Sequence, residues 1–286
     1  MNEIQEYSIR KINQWTMQDA CHVRAIVQNN KYADITYLSK KPTPKIRKIS
    51  KNQYVNIDTG EIGDYDLKEN KVNIESIRKT FKQLVCLIRH NFTADSENQL
   101  FITLTYIENM KSRDKLYSDF KKFFQKLKRK YTDIKLDYIL VAEPQGRGAW
   151  HVHMMLKGDK PLFIPHKVIK DLWGFGRTET VRLKSDDVGR YYVAYFTNLE
   201  VESKEENSQE KKYIKGARLP LYPSGMKIYR TTRGIEKPPK VVMTWGELKE
   251  QFGEPTWKQQ YEILGQENGN EKIINMLYKA SFKKQD

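Results

Sequence analysis

The sequence predicts an α+β fold, in which an antiparallel sheet has flanking helices packed mainly on one face. Two apolar runs between Asp137 and Leu156 are joined by a Gly-rich turn, which is typical of an antiparallel hairpin. Strand-like and helix-like segments follow each other in the order strand, helix, strand, strand, helix, strand, helix. The helical segments carry an apolar stripe on one side and charges elsewhere, so we expect them to pack on the sheet.

Each predicted element has its own signal. The first strand alternates apolar residues with threonine, and the first helix combines an apolar stripe with a lysine-rich run. The second helix starts at Pro165, which suits a first turn, and stops at Gly174. In chain order the elements are a strand at Phe101–Tyr106, a helix at Asp114–Tyr131, the hairpin at Asp137–Leu156, a helix at Pro165–Trp173, a strand at Thr178–Leu183 and a helix at Val188–Phe196. This order predicts a ferredoxin-like plan.

Composition shifts divide the chain into three parts. Residues 1–95 are predicted to be an N-terminal extension, which is polar and irregular at first and ends in an amphipathic helix at 73–90. Residues 96–200 form the predicted central domain. Residues 201–286 are predicted to be a solvated linker followed by a basic, aromatic C-terminal region.

Local patterns near the two ends predict further features. Asn73 is expected to cap the helix that follows it. Tyr54–Gly60 enters a turn and predicts a hairpin arm, whereas Lys41–Pro44 interrupts regular structure. Asn270–Phe282 has apolar residues at helical spacing, which predicts a helix that docks on the core or on a partner.

The central hairpin carries residue types that bind metal ions. Because alternate side chains of a strand share a face, His151 and His153 project to the same side and can hold one ion. Glu143 ends the preceding strand, and the turn brings its carboxylate beside the histidines as a third ligand. Three ligands leave coordination positions open for a substrate. The alternative is structural, since a single histidine in a sheet is more often hydrogen-bonded than metal-bound.

A tyrosine pair follows in the last predicted helix. Because Tyr191 and Tyr195 are four residues apart, a helix places both phenols on one face and turns Tyr192 away by about 100°. A metal site with two adjacent phenols indicates covalent catalysis on a phosphate. Alternatively, the tyrosines form an aromatic stripe that packs the helix against the sheet.

Three blocks of the sequence, Phe101–Tyr106, Glu143–His153 and Val188–Phe196, resemble the three motifs of the HUH-type endonucleases in the same order. They look most like the rolling-circle replication initiators of phages, plasmids and related mobile elements that carry a two-tyrosine third motif. The resemblance covers roughly residues 96–200 and implies an HUH nuclease core within the α+β fold. It departs at Ala194 and Asn198, where the family often has lysine.

The resemblance implies a metal-dependent tyrosine DNA endonuclease and strand transferase. Glu143, His151 and His153 correspond to the ligands of a divalent ion, Mg²⁺ or Mn²⁺, while Tyr191 and Tyr195 correspond to the nucleophiles. The implied reaction nicks and rejoins single-stranded DNA at a replication origin through a 5′-phosphotyrosine. The chain has no Gly-x-x-x-x-Gly-Lys-Ser/Thr phosphate loop, so unwinding and synthesis are expected to come from a host helicase and polymerase.

The composition agrees with a nucleic-acid partner. The chain has 51 Lys and Arg against 36 Asp and Glu, which gives a formal net charge of +15, and 17 tyrosines that can stack on unpaired bases. Basic charge alone is equally compatible with an RNA-binding protein. The candidates for DNA contact are basic residues of the motifs and of the C-terminal region: Arg147, Arg190, Lys227, Arg230 and Arg233.

The remaining composition indicates the compartment. Cys21 and Cys86 lack metal-ligand spacing and indicate no disulfide framework. No apolar stretch reaches the length of a membrane span, and the first residues lack the features of a signal peptide. We therefore expect a location in the cytoplasm of a bacterial host cell and no membrane partner. The oligomeric state is not defined by the sequence.

Other functions stay open from the sequence alone. A transposase or relaxase of the same nuclease group is one, although relaxases typically place their tyrosine before the histidines and transposases usually have one nucleophile. A noncatalytic nucleic-acid-binding module is favoured by Ala194 and Asn198. A zinc hydrolase fits the three ligands but leaves the tyrosine helix unexplained.

Overall fold

The structure is a computed structural model. It describes residues 8–41, 45–50, 52–65, 74–145, 148–185, 187–201, 212–223, 225–267 and 270–284.

The described elements confirm the order that the sequence predicts between residues 101 and 197 and add elements on both sides of it. The elements up to α2 are β1 (Ser8–Ile12), β2 (His22–Gln28), β3 (Tyr32–Leu38), β4 (Ile46–Lys48), β5 (Gln53–Asn56), β6 (Ile62–Asp64), α1 (Ile74–Asn91), β7 (Gln99–Leu104) and α2 (Arg113–Lys130). The elements up to β12 are β8 (Leu136–Pro144), β9 (Trp150–Gly158), α3 (His166–Trp173), β10 (Thr178–Val181), α4 (Val188–Thr197), β11 (Leu199–Val201) and β12 (Lys212–Ile214). A 3-10 helix (Leu219–Leu221) follows, and then β13 (Tyr229–Thr231), β14 (Lys240–Thr244), α5 (Trp245–Phe252), β15 (Trp257–Glu267) and β16 (Asn270–Lys283).

The chain divides into two compact units. The central unit is residues 71–237, and the terminal unit combines residues 1–70 with residues 238–286. These boundaries differ from the composition shifts near residues 95 and 200, because α1 packs against the sheet of the central unit and β13 hydrogen-bonds to β8. Composition follows solvent exposure, whereas the units follow contacts between residues that are distant in sequence.

The central unit contains an antiparallel sheet in the order β10-β7-β9-β8-β13 among the described strands. Strand β9 lies in the middle and pairs with β7 on one side and with β8 on the other. The α+β class is therefore confirmed. The sheet is buried on both faces, and that burial places β9 and its side chains inside the unit.

Helices cover both faces of this sheet, so the prediction that they pack mainly on one face is wrong. Side chains such as Ile102 and Met154 point to the face covered by α2 and α3. Side chains such as Phe101 and Met155 point to the opposite face, which is covered by α1 and α4. The near-continuous apolar runs of β7, β8 and β9 are typical of strands that are buried on both sides.

The helix ends follow the local signals. Helix α3 has Pro165 at its N-cap, and Gly174 at its C-cap adopts a left-handed conformation with φ 69°. Helix α1 is described from Ile74, so the predicted cap Asn73 lies outside the described residues. No helix in the described parts of the chain is both long and apolar enough to cross a bilayer.

The terminal unit contains a sheet in the order β1-β15-β16-β3-β2-β14 among the described strands, with α5 contributing to its core. Residues 8–38 are thus mostly strand, and the prediction that this region is irregular is wrong. The predicted hairpin arm is confirmed as β5 and β6, which pair around the turn. Of the predicted break at Lys41–Pro44, residues 42–44 lie outside the described residues.

The C-terminal segment is a strand, which corrects the predicted helix at Asn270–Phe282. Strand β16 pairs with β15 and with β3. Tyr278 and Phe282 are buried on the side of α5. A spacing of four residues puts two side chains on one face of a helix and equally on one face of a strand, so these positions did not distinguish the two structures.

Candidate active site

The central hairpin brings three possible metal ligands together. Glu143 on β8 pairs with His151 on β9, and His153 pairs with Val141, so all three ligand side chains share one face of the sheet. The ligand atoms of Glu143, His151 and His153 lie within 4.8 Å of one another. These three residues, the ligand group, combine two imidazole nitrogens with one carboxylate oxygen. Such a donor set suits a divalent ion.

Neighbouring polar groups orient the two imidazoles. The Nδ1 atom of His153 lies 3.2 Å from the hydroxyl of Thr103, which is its partner on β7. The Nε2 atom of His153 points the other way and contacts the Glu143 carboxylate. The Nδ1 atom of His151 lies 3.3 Å from the side-chain amide of Gln145. A contact at Nδ1 fixes the ring and leaves Nε2 facing the ligand group.

Burial controls the charge of the ligand group. Glu143 and His153 are 3% and 1% exposed. Burial lowers the pKa of His153 to about 3, against the opposing effect of the nearby Glu179 carboxylate. His153 is therefore neutral at physiological pH, which is the state in which imidazole binds a metal ion.

The tyrosine pair lies on the exposed face of α4. Tyr191 and Tyr195 are 53% and 49% exposed, whereas Tyr192 is 4% exposed and packs into the core, as the helical spacing predicts. The ring of Tyr195 lies against His153, with 5.3 Å between the centroids. Tyr192 and Phe196 supply the aromatic packing of α4, so the tyrosine pair is not the stripe that seats the helix.

Helix α1 fixes the start of α4. The Asp187 carboxylate accepts a hydrogen bond from the Arg190 N–H and so caps α4. The buried Arg89 of α1 binds the same carboxylate with two hydrogen bonds of 2.9 and 2.5 Å. A Cβ on Gly189 would lie 2.7 Å from the Val85 carbonyl oxygen, so this glycine permits the close approach of the two helices. Helix α1 thereby sets where the tyrosine pair stands.

The end of α4 is held by the segment 216–222. The Arg218 N–H donates to the Thr197 carbonyl, and the Tyr222 hydroxyl donates to the Phe196 carbonyl. The Arg218 guanidinium donates to the Tyr195 carbonyl and forms an ion pair with Glu143. Sequence reasoning did not identify Arg218 as a site residue, because it lies far along the chain from Glu143 and is one basic residue among many in the C-terminal region.

The predicted DNA-contact residues are dispersed. Arg147 lies outside the described residues. Arg230 pairs with Leu140 and lies 3.4 Å above the Tyr117 ring of α2, on the face of the sheet away from the ligand group. The other three are all exposed: Arg190 on α4 near Asp187, Lys227 before β13, and Arg233 at a cavity that Lys128 and Lys135 also line.

Residues 99–200 match the family model for the replication-associated protein ORF2. The match supports a replication-associated protein, and it spans about a third of the chain. The matched segment contains the ligand group and the tyrosine pair, while α1 and Arg218 lie outside it. No curated protein and no solved structure gives a significant match.

Proposed function

We propose that this protein initiates rolling-circle DNA replication by nicking and rejoining single-stranded origin DNA through a phosphotyrosine. The observation that carries the proposal is the convergence of the ligand group to within 4.8 Å beside the Tyr195 ring. The match of residues 99–200 to replication-associated proteins supports the biological process. The formal net charge of +15 supports a polyanionic partner.

The ligand group fits a divalent ion, which we propose to be Mg²⁺ or Mn²⁺. When bound, the ion would orient the phosphate and offset the negative charge that develops in the transition state. Thr103 and Gln145 would hold the imidazoles in place. The neutral form of His153, which burial favours through a lowered pKa, would leave its nitrogen available to coordinate.

The tyrosine pair would perform the covalent step. A phenolic oxygen forms a bond to the phosphorus, the bond from phosphorus to the 3′ oxygen breaks, and its electron pair stays on that oxygen. The phenolic proton is lost to solvent, and the 3′ oxygen takes up a proton. One ester replaces another, so a 3′ hydroxyl can reverse the reaction and rejoin the strand without a nucleotide cofactor.

Two exposed phenols on one helix face suit repeated cleavage. While Tyr195 holds one DNA end, Tyr191 can attack a second phosphodiester, because it is exposed on the same face of α4. Unwinding and synthesis are assigned to a host helicase and polymerase, and the proposed location is the cytoplasm of a bacterial host.

The proposal is tested on a denaturing gel of the protein incubated with Mn²⁺ and labelled single-stranded DNA from both strands of its own genetic element. We expect a labelled protein band that requires the metal and is lost in Tyr195→Phe or in Tyr191→Phe. Tyr192→Phe is the matched control, because it removes a buried hydroxyl from the same helix and should keep the band.

The metal requirement has its own control. The double variant His151→Ala, His153→Ala should lose the band, while His22→Ala should keep it because His22 is exposed and lies in the terminal unit. DNA binding without an adduct in Mn²⁺ or Mg²⁺ would reject the enzyme and favour a noncatalytic binding module.

A further inference from the structure

Arg218 places a positive charge inside the candidate active site. Its guanidinium forms an ion pair with the Glu143 carboxylate, and its side chain is 21% exposed. The opposite oxygen of the same carboxylate contacts His153. Arg218 therefore contacts the ligand group directly, although it lies 18 residues beyond the end of the segment that matches the replication-associated family.

Capping of α4 does not account for this guanidinium. The Arg218 backbone N–H already bonds the Thr197 carbonyl, and the Tyr222 hydroxyl bonds the Phe196 carbonyl. Asn198 at the C-cap accepts a hydrogen bond from the Gly216 N–H. The end of the helix is thus held by several groups that carry no charge, whereas burying a cation costs free energy unless it serves a purpose.

A count of charges shows what Arg218 changes. The side chains around His153 include two carboxylates, Glu143 in contact with it and Glu179 near enough to act on it electrostatically. One divalent ion only balances these two negative charges. Arg218 gives the site a net positive charge, which is the sign that a phosphodiester requires.

The guanidinium also has donors to offer. Among the described residues, the side-chain hydrogen bond and the ion pair of Arg218 both use Nη1. A guanidinium has five N–H groups in a planar fork that matches the oxygens of a phosphate. Nη2 and Nε can therefore donate to a bound phosphodiester.

We propose that Arg218 is a catalytic residue that contacts a nonbridging oxygen of the scissile phosphate beside the ligand group. The proposal rests on the proposed function, since it requires a phosphodiester at this site. Arg218 would offset the charge that accumulates on the phosphate oxygens when the phenolic oxygen attacks. Its contact with the Tyr195 carbonyl would keep that charge in register with the tyrosine helix.

The test compares adduct formation by the wild type and by Arg218→Ala on two substrates. The first is ordinary single-stranded DNA, on which we expect Arg218→Ala to slow adduct formation by about 100-fold, the cost of removing one transition-state donor. The second carries a methylphosphonate at the cleavage position, in which an uncharged methyl group replaces one nonbridging oxygen. For the isomer that replaces the oxygen facing Arg218, the two proteins should differ by less than about threefold.

Three controls separate a catalytic role from a structural one. Free guanidinium ions should restore much of the lost rate to Arg218→Ala. Mn²⁺ binding measured by calorimetry should be at least as tight in Arg218→Ala as in the wild type, because a neighbouring cation has been removed. Lys215→Ala removes an exposed positive charge from the same segment and should change the rate by less than about threefold. If Arg218→Ala does not fold, Arg218→Lys serves in its place with a smaller expected loss of about tenfold.

The outcomes are distinct. Equal loss on both substrates, no loss on ordinary DNA, or weakened Mn²⁺ binding in the variant would each overturn the assignment of Arg218 and leave the proposed function standing. A wild-type protein that forms no adduct would remove the proposed function and the role of Arg218 together.

Discussion

At the residue scale, the two ring nitrogens of His153 have different partners. Nε2 faces the Glu143 carboxylate, and Nδ1 faces the Thr103 hydroxyl at 3.2 Å. A hydroxyl at this distance can accept the Nδ1–H of a neutral imidazole, which leaves the Nε2 lone pair free to coordinate an ion. Thr103 therefore selects the tautomer that a metal site needs.

We predict that Thr103→Val weakens Mn²⁺ binding by about 10- to 100-fold, because valine keeps the shape of threonine but cannot accept the Nδ1 hydrogen bond. Isothermal titration calorimetry measures the change. Thr103→Ser retains a hydroxyl and should bind the ion within a few-fold of the wild type. Equal affinity of the valine and serine variants would show that the hydroxyl does not orient His153.

Local spacing was sufficient to predict most of the residues that converge at the site. The alternation of side chains on a strand and one tight hairpin bring His151, His153 and Glu143 together, and both features can be seen within 11 residues of sequence. Arg218 could not be predicted in this way, since its contact with Glu143 depends on how the segment after α4 folds back. Thr103 was predicted only as a strand residue.

At the element scale, the ion pair between α1 and α4 determines how the tyrosine helix is seated. Burial by itself raises the pKa of Asp187, but the hydrogen bonds and charge of Arg89 and the Arg190 amide outweigh it and hold the pKa below the usual 3.8. Because the folded pKa lies below the unfolded one, the ionised carboxylate stabilises the fold above about pH 4. That stability is lost as the pH falls through the folded pKa.

We predict that Asp187→Asn lowers the free energy of unfolding by about 3 kcal/mol at pH 7, since it leaves the buried Arg89 without its charged partner. The difference from the wild type should shrink towards zero at pH values below the folded pKa, where the wild-type carboxyl is also neutral. Urea unfolding at several pH values measures both effects. Asp114→Asn at the exposed start of α2 is the control, and a pH-independent difference for Asp187→Asn would contradict the prediction.

The elements that sequence reasoning missed share a physical cause. The helices of the central unit have long apolar stripes and were predicted within a few residues of their ends. Strand β16 was misassigned because the spacing of Tyr278 and Phe282 fits a helix and a strand equally. Strands β1 to β3 lacked a clear pattern because they are stabilised by pairing with distant strands of the terminal unit.

At the scale of the whole molecule, the central unit contains every group to which we assign a chemical role. The ligand group, the tyrosine pair, Arg89 and Arg218 all lie within residues 71–237. A fragment of residues 96–200 would lack α1, whose buried side chains include Phe81, Leu84 and Ile88. Each of these contributes about 1.5–3 kcal/mol when buried, and together they approach the stability of a typical domain.

We therefore predict that a fragment of residues 71–237 unfolds cooperatively and binds Mn²⁺ within a few-fold of the full chain. A fragment of residues 96–200 should show no cooperative thermal transition by circular dichroism and no Mn²⁺ binding. A shorter fragment that folds and binds the ion as well as the longer one would show that α1 and the segment 212–231 are dispensable.

The pairing in the terminal unit also imposes an order on synthesis at the ribosome. Strand β3 pairs with β16, so that Thr36 lies opposite Lys279, and β1 pairs with β15. The first strands to be translated must therefore wait for the last ones before their sheet can close, while the segment between them already has its own strand partners. During translation the groups assigned to catalysis can assemble on the nascent chain while the edges of β3 are still unpaired, and this interval is when the N-terminal strands are most exposed to aggregation and to chaperones.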